Sequence, residues 1–213
     1  FFYQFLTIHI QDSSSNGLTK PAHDDRIDAV SMAVRRLLKR NKKRYLKAAE
    51  KGSTEAKYKL GIMYKNGEGV TRDYGKALKW FQEAANQGNA KAQYNLGEMY
   101  VNGMEVDKNE RKAVKLYQKA ANNGYVVAQY HLGRMYANGR GVDKNEHKAF
   151  EWFQKAAEQG HADAQFIVGM RYYNGRGVIQ NYREALKWFQ KAADQGSISA
   201  QAQVKELTKL LGK

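Results

Sequence analysis

Apolar positions recur along this chain in stripes at helical spacing, and the stripes themselves recur. Between residues 54 and 66, Ala56, Leu60, Met63 and Tyr64 fall on one helix face. Asn66-Gly67 is a stop signal, because both residue types accept the left-handed cap conformation. A turn, Glu68 to Arg72, leads to a second helix expected over Asp73 to Gln87. Its apolar stripe is Tyr74, Ala77, Leu78, Phe81 and Ala84-Ala85, and Gly88 ends it. Neither helix can bury its stripe alone, so such pairs must stack.

The stacking unit is 36 residues long. Gly52, Gly88, Gly124, Gly160 and Gly196 keep that spacing, as do Gly61, Gly97, Gly133 and Gly169. Tyr64, Tyr100, Tyr136 and Tyr172 keep it too, and so do Ala77, Ala113, Ala149 and Ala185. The pattern marks four helix-turn-helix units over 53–196 (53–88, 89–124, 125–160 and 161–196). Trp80, Trp152 and Trp188 share a register with Leu116, and strict periodicity assigns them to packing. In the second unit Glu105 replaces a loop glycine, so a different turn is expected there. Residues 197–213 open like a fifth unit and then diverge, which suits a closing helix. Tyr45 and Ala48-Ala49 are in register with Phe81 and Ala84-Ala85. Residues 24–52 therefore read as a degenerate leading unit, one long helix or two with a break near Asn41, starting at Asp24 or Asp25. Residues 1–10, FFYQFLTIHI, are strand-like, and 11–23 form a polar linker.

Ala56, Leu60-Gly61, Tyr64, Gly67, Gly69-Val70, Ala77, Trp80-Phe81, Ala84-Ala85 and Gly88 resemble the Sel1-like repeat (SLR), a relative of the tetratricopeptide repeat. The resemblance implies an all-α, right-handed solenoid whose first helices line a concave face. It also implies adaptor roles in complex assembly and signalling.

Of 36 basic and 21 acidic side chains, giving a net +15, the densest excess is a net +8 between Arg35 and Lys51. Each repeat carries only +1 or +2. The basic stretch, with Arg35, Arg36, Lys39, Arg40, Lys42, Lys43 and Arg44, is a candidate docking patch for a protein, or for RNA or another polyanion. Any nucleic-acid contact there would be electrostatic and sequence-independent. With no cysteine, thiolate metal sites, disulfides and a cysteine nucleophile are excluded. The five histidines share no ligand spacing, so no metal site is expected. Arg140 and Arg176 sit between loop glycines that recur as turn geometry, so a phosphate-binding loop is not expected there. No motif sets a nucleophile beside a base. The expectation is a non-enzyme with no cofactor and no small-molecule substrate. A hydrolase, an activity claimed for some family members, is the last-ranked alternative.

Periodicity also separates core from binding surface. Core positions repeat because every interface repeats; binding positions vary because a ligand is not periodic. On the first helices, a row opposite the apolar stripe varies: Glu55-Lys59-Ile62, Lys91-Asn95-Glu98, Val127-His131-Arg134 and Asp163-Ile167-Met170. Lys59, Lys91 and Arg134 would set its polarity, and exposed Ile62, Val127, Ile167 and Met170 would anchor a protein segment. Phe1, Phe2, Tyr3 and Phe5 form a second candidate, an arm that docks by strand addition or aromatic anchoring. The expected partner is protein, within a multi-subunit assembly. No apolar run is long enough to span a membrane. Absence of cysteine and of glycosylation sequons favours an intracellular setting, cytoplasm or organelle matrix. The chain starts at Phe1, as expected of a processed or truncated product.

Overall fold

The computed structural model describes the backbone of residues 22–212 and the side chains of 30–212. The aromatic arm with Phe1, Phe2, Tyr3 and Phe5 and linker residues 11–21 lie outside the described residues. The first helix already begins at Ala22, so Asp24 and Asp25 fall inside its first turn rather than capping it. The described residues form ten helices and no strand. The first, α1, runs unbroken over Ala22–Glu50 and passes through Asn41. The other nine are each 13 residues long: α2 Thr54–Asn66, α3 Tyr74–Asn86, α4 Ala90–Asn102, α5 Glu110–Asn122 and α6 Val126–Asn138. The series continues with α7 Glu146–Glu158, α8 Ala162–Asn174, α9 Tyr182–Asp194 and α10 Ile198–Leu210.

Helix starts follow local chemistry. Asp73, Asn109 and Asn145 each accept a hydrogen bond from the backbone N–H three residues on, at 2.8 to 2.9 Å. Ser53, Asn89 and His161 do the same for α2, α4 and α8. The first helices α2, α4, α6 and α8 end on left-handed Gly67, Gly103, Gly139 and Gly175.

Each helix packs mainly on its neighbours in sequence, giving a solenoid without distant pairings. Its core is a repeated set of small and aromatic residues. Phe81, Tyr117, Phe153 and Phe189 are at most 2% exposed, and each ring lies on a glycine of its own unit's first helix. A Cβ at Gly61, Gly97, Gly133 or Gly169 would stand 2.5, 2.6, 2.9 or 2.6 Å from the ring. Lys205 of α10 occupies the register of these glycines, so a following helix could not seat a ring on α10 in the same way. The tryptophans pack as periodicity predicts: Trp152 and Trp188 are buried in core clusters, and Trp80 packs against two.

Loops between paired helices lean on the preceding unit. A Cβ at Gly141 or Gly177 would stand 2.4 or 2.1 Å from the carbonyl oxygen of Glu110 or Glu146. Glu105, in the same register, keeps the left-handed turn at φ 55°, beside 69°, 68° and 74° at Gly69, Gly141 and Gly177. The expected difference in that turn is therefore absent, and a side chain bears the conformation instead. Second helices start in register with residue 38, so the first 16 residues of α1 extend beyond the repeat pattern. Val30, Met32 and Leu37 are exposed along that extension.

Candidate protein-binding face

First helices of neighbouring units touch directly. Lys65 of α2 donates to Asn95 Oδ1 of α4 at 2.9 Å, and Tyr94 Oη of α4 lies 3.2 Å from His131 Nε2 of α6. The face they form is where the aperiodic row was expected. Lys59, Lys91 and Arg134 are exposed there, and Glu98, Val127 and His131 are half-buried.

Five members of the row differ from expectation in exposure. Ile62, Val127, Ile167 and Met170 are half-buried rather than open, with Ile62, Ile167 and Met170 packed against the core clusters. Asn95 is only 6% exposed, and its amide donates to the Lys91 carbonyl at 2.9 Å while accepting from Lys65. The reason is that each first helix is covered on two sides, by its own second helix and by that of the preceding unit. Its buried arc is wider than a single apolar stripe.

What the fold gathers is a smaller polar cluster between the second and third units. Glu98, Tyr117, His131 and Arg134 border one cavity of about 170 Å³, with Asn102, Asn138 and Arg140 at its rim. Tyr117 was missed by the row because it belongs to a second helix. Its signal was present in the sequence: among the four repeats it is the lone hydroxyl in the register of Phe81, Phe153 and Phe189, a register that the leading unit fills with Tyr45. That hydroxyl donates to Glu98 Oε1. Burial, and then Glu98, push the Tyr117 phenol well above its ordinary value, so its proton stays on the oxygen. Burial raises Tyr94 as well. His131 is held below its ordinary 6.5 mainly by burial; Glu98 opposes this, while Arg134 and His161 reinforce it. It is uncharged at neutral pH.

Aromatic rings wall the cluster. Tyr94 stacks on Tyr117 with centroids 5.4 Å apart, and meets Tyr125 edge-on at 5.5 Å. Tyr130 stacks on His161 at 4.6 Å, and the Arg134 guanidinium lies 5.9 Å from the Tyr130 ring. The result is an aromatic wall with one acceptor pair, one neutral imidazole and one exposed cation. This suits a polar and apolar peptide surface. Arg140 is engaged by Glu110, its Nε 3.0 Å from Oε1, which holds that loop in place. Among the described residues no cluster of His, Cys, Asp or Glu has metal-site geometry.

The basic patch lies at the other end of the described chain. Arg35, Arg36, Lys39, Arg40, Lys43 and Arg44 are exposed on α1, while Lys42 is half-buried. No described helix is long and apolar enough to cross a membrane.

The Sel1 repeat pattern matches residues 54–89, 90–125, 126–161 and 162–197, about two thirds of the chain. The chain belongs to the Sel1 repeat family. A protective antigen of uropathogenic Escherichia coli with an SLR fold is 36% identical, with a TM-score of 0.76 over 78% of this chain and 36% of the antigen. The chain thus spans little more than a third of that relative's length. A Sel1 repeat protein from Oxalobacter formigenes is 33% identical, with a TM-score of 0.69 over 79% of this chain and 67% of its own. No functionally curated protein matches. Sel1 repeat proteins generally mediate protein–protein interaction and are typically non-catalytic scaffolds.

Proposed function

We propose that this Sel1 repeat chain is a non-catalytic adaptor, a subunit of a larger assembly, that holds a segment of another protein on its first-helix face. The observation that carries this reading is the convergence of non-repeating polar residues. Glu98, Tyr117, His131 and Arg134 meet at one cavity while the packing around them repeats. A core needs none of these substitutions, since the other three repeats fill the Tyr117 register with phenylalanine. Half-buried Ile62, Val127, Ile167 and Met170 offer apolar edges on either side.

The test compares partners retained by immobilised wild-type protein and by a His131→Ala/Arg134→Glu variant, in extract from the native source. The reading expects at least one protein held by wild type and lost by the variant. Identical retention by both would refute it.

The exposed cations of α1 favour a second reading, contact with RNA or another polyanion. Phosphate contacts weaken steeply between about 50 and 200 mM salt, so binding that is flat over that range removes this reading.

A further inference from the structure

The basic helix does not present all its cations alike. Lys39 and Lys42 turn toward a cleft of about 560 Å³ between α1, the Glu68–Arg72 loop and the start of α3, where Arg72 and Lys76 also project. The cleft's one acid, Asp73, is already occupied: it caps the Lys76 N–H at 2.8 Å and pairs with the Lys76 ammonium at 2.9 Å. Glu68, in the adjoining loop, accepts from Asn66 at 2.7 Å. Tyr64 forms one wall, with the Lys42 and Lys76 ammonium groups 5.8 and 5.5 Å from its ring centroid. The loop is fixed to the helix at Gly69, where a Cβ would stand 2.4 Å from Leu38 Cβ.

Two departures from the repeat create this cleft. Lys42 occupies the register of Leu78, Val114, Phe150 and Leu186, an apolar packing position elsewhere. Where the third unit meets the fourth, the equivalent pair is Phe150 against Tyr172, ring to ring at 5.3 Å. The second departure is at Arg72. Its register mates Lys108 and Lys144 approach Glu110 and Glu146 two residues on, at 4.0 and 3.2 Å. Arg72 has Tyr74 there and packs on its ring at 5.5 Å. Among the described residues no carboxylate pairs with Lys39, Lys42 or Arg72. A lysine in a core register and an arginine without its glutamate converge on one bounded space.

We infer that this cleft binds a multiply charged phosphate group, which Lys39, Lys42, Arg72 and Lys76 surround. The inference deepens the polyanion reading of the same helix by separating a discrete phosphate site from the outward cations Arg36 and Arg40.

Isothermal titration with pyrophosphate tests it on three proteins: wild type, Lys42→Leu/Arg72→Gln, and Arg36→Ala/Arg40→Ala. The first double variant installs residues the repeat itself uses at those registers, Leu78 and Gln180, so folding is preserved. Both double variants remove two positive charges. Wild type is expected to bind one pyrophosphate, with affinity falling at least about tenfold in Lys42→Leu/Arg72→Gln and less than about twofold in Arg36→Ala/Arg40→Ala. Absence of binding by wild type, or equal loss in both variants, overturns the proposal. A phosphoserine peptide titrated in parallel identifies the source: tighter, Lys42-dependent binding of the peptide assigns a protein-borne phosphate, and the reverse a free one. An oligouridine arm keeps the two ideas apart. Oligouridine binding that depends on Arg36 and Arg40, without pyrophosphate binding, sinks the cleft and leaves the polyanion reading standing. Pyrophosphate binding without oligouridine binding upholds the cleft and removes RNA from the polyanion reading.

Discussion

Gln129 and Gln165 each receive a hydrogen bond from a glutamine 30 residues later, from Gln159 at 2.8 Å and Gln195 at 2.7 Å. Each also donates to a carbonyl at the end of the preceding helix, at 3.2 Å. Gln93 makes the same donation to Ala85 O, but its own Oε1 is buried without a partner. The residue 30 positions on is Asn123, one methylene shorter than its register mates. Asn123→Gln should therefore supply the missing donor and add about 1 kcal/mol, raising the thermal midpoint by roughly 2–4 °C. An unchanged or lower midpoint would contradict this account of the glutamine ladder. His131 gives a second residue-scale prediction. Its folded value lies below 6.5, so the unfolded chain takes up a proton first as pH falls. Stability is complete above the unfolded value and is lost across the window from about 6.5 down to the depressed folded value. Denaturation midpoints of wild type should fall through that window, and those of His131→Leu should fall less.

At the scale of elements, the apolar stripes, the glycine stops and the 36-residue period made helix positions readable from residues alone. Exposure was less readable. Ile62, Ile167 and Met170 lie opposite a first-helix stripe, but two second helices cover that helix, a fact held in the stacking rather than in one helix's pattern. Tyr117 was readable as a break in a phenylalanine register, yet its link to Glu98 required the glycine at Gly97 to bring α4 and α5 together. That close approach is testable at the third unit. Helix propensity alone favours Gly133→Ala by about 1 kcal/mol. The added Cβ would stand 2.9 Å from the Phe153 ring, which is 2% exposed and cannot retreat. The variant should lose about 1–3 kcal/mol in chemical denaturation, and a gain would refute the packing argument. Glu105→Gly should shift stability the other way. Its φ of 55° is strained for a side chain and free for glycine, so relief of about 1 kcal/mol is expected in the same measurement.

At the scale of the whole molecule, charge and repeat describe different ends of one design. The four units carry a small positive balance and a repeated core, and α1 carries the dense excess. Periodicity located both candidate sites by its failures. Polar residues enter the phenylalanine and first-helix registers between the second and third units, and Lys42 enters an apolar register of the leading unit. The sequence could not say which failures would meet in space, because α1 and the loops join registers from adjacent units. The central claim is that the first-helix face, rather than the outer second-helix surface, holds the partner. Site-directed photocrosslinking tests it most directly, with benzoylphenylalanine at Arg134 on α6 and, separately, at exposed Lys115 on α5, in the native source. The account predicts a discrete crosslinked protein from position 134 and none from 115. Adducts from 115 alone, or the same adducts from both, would contradict it.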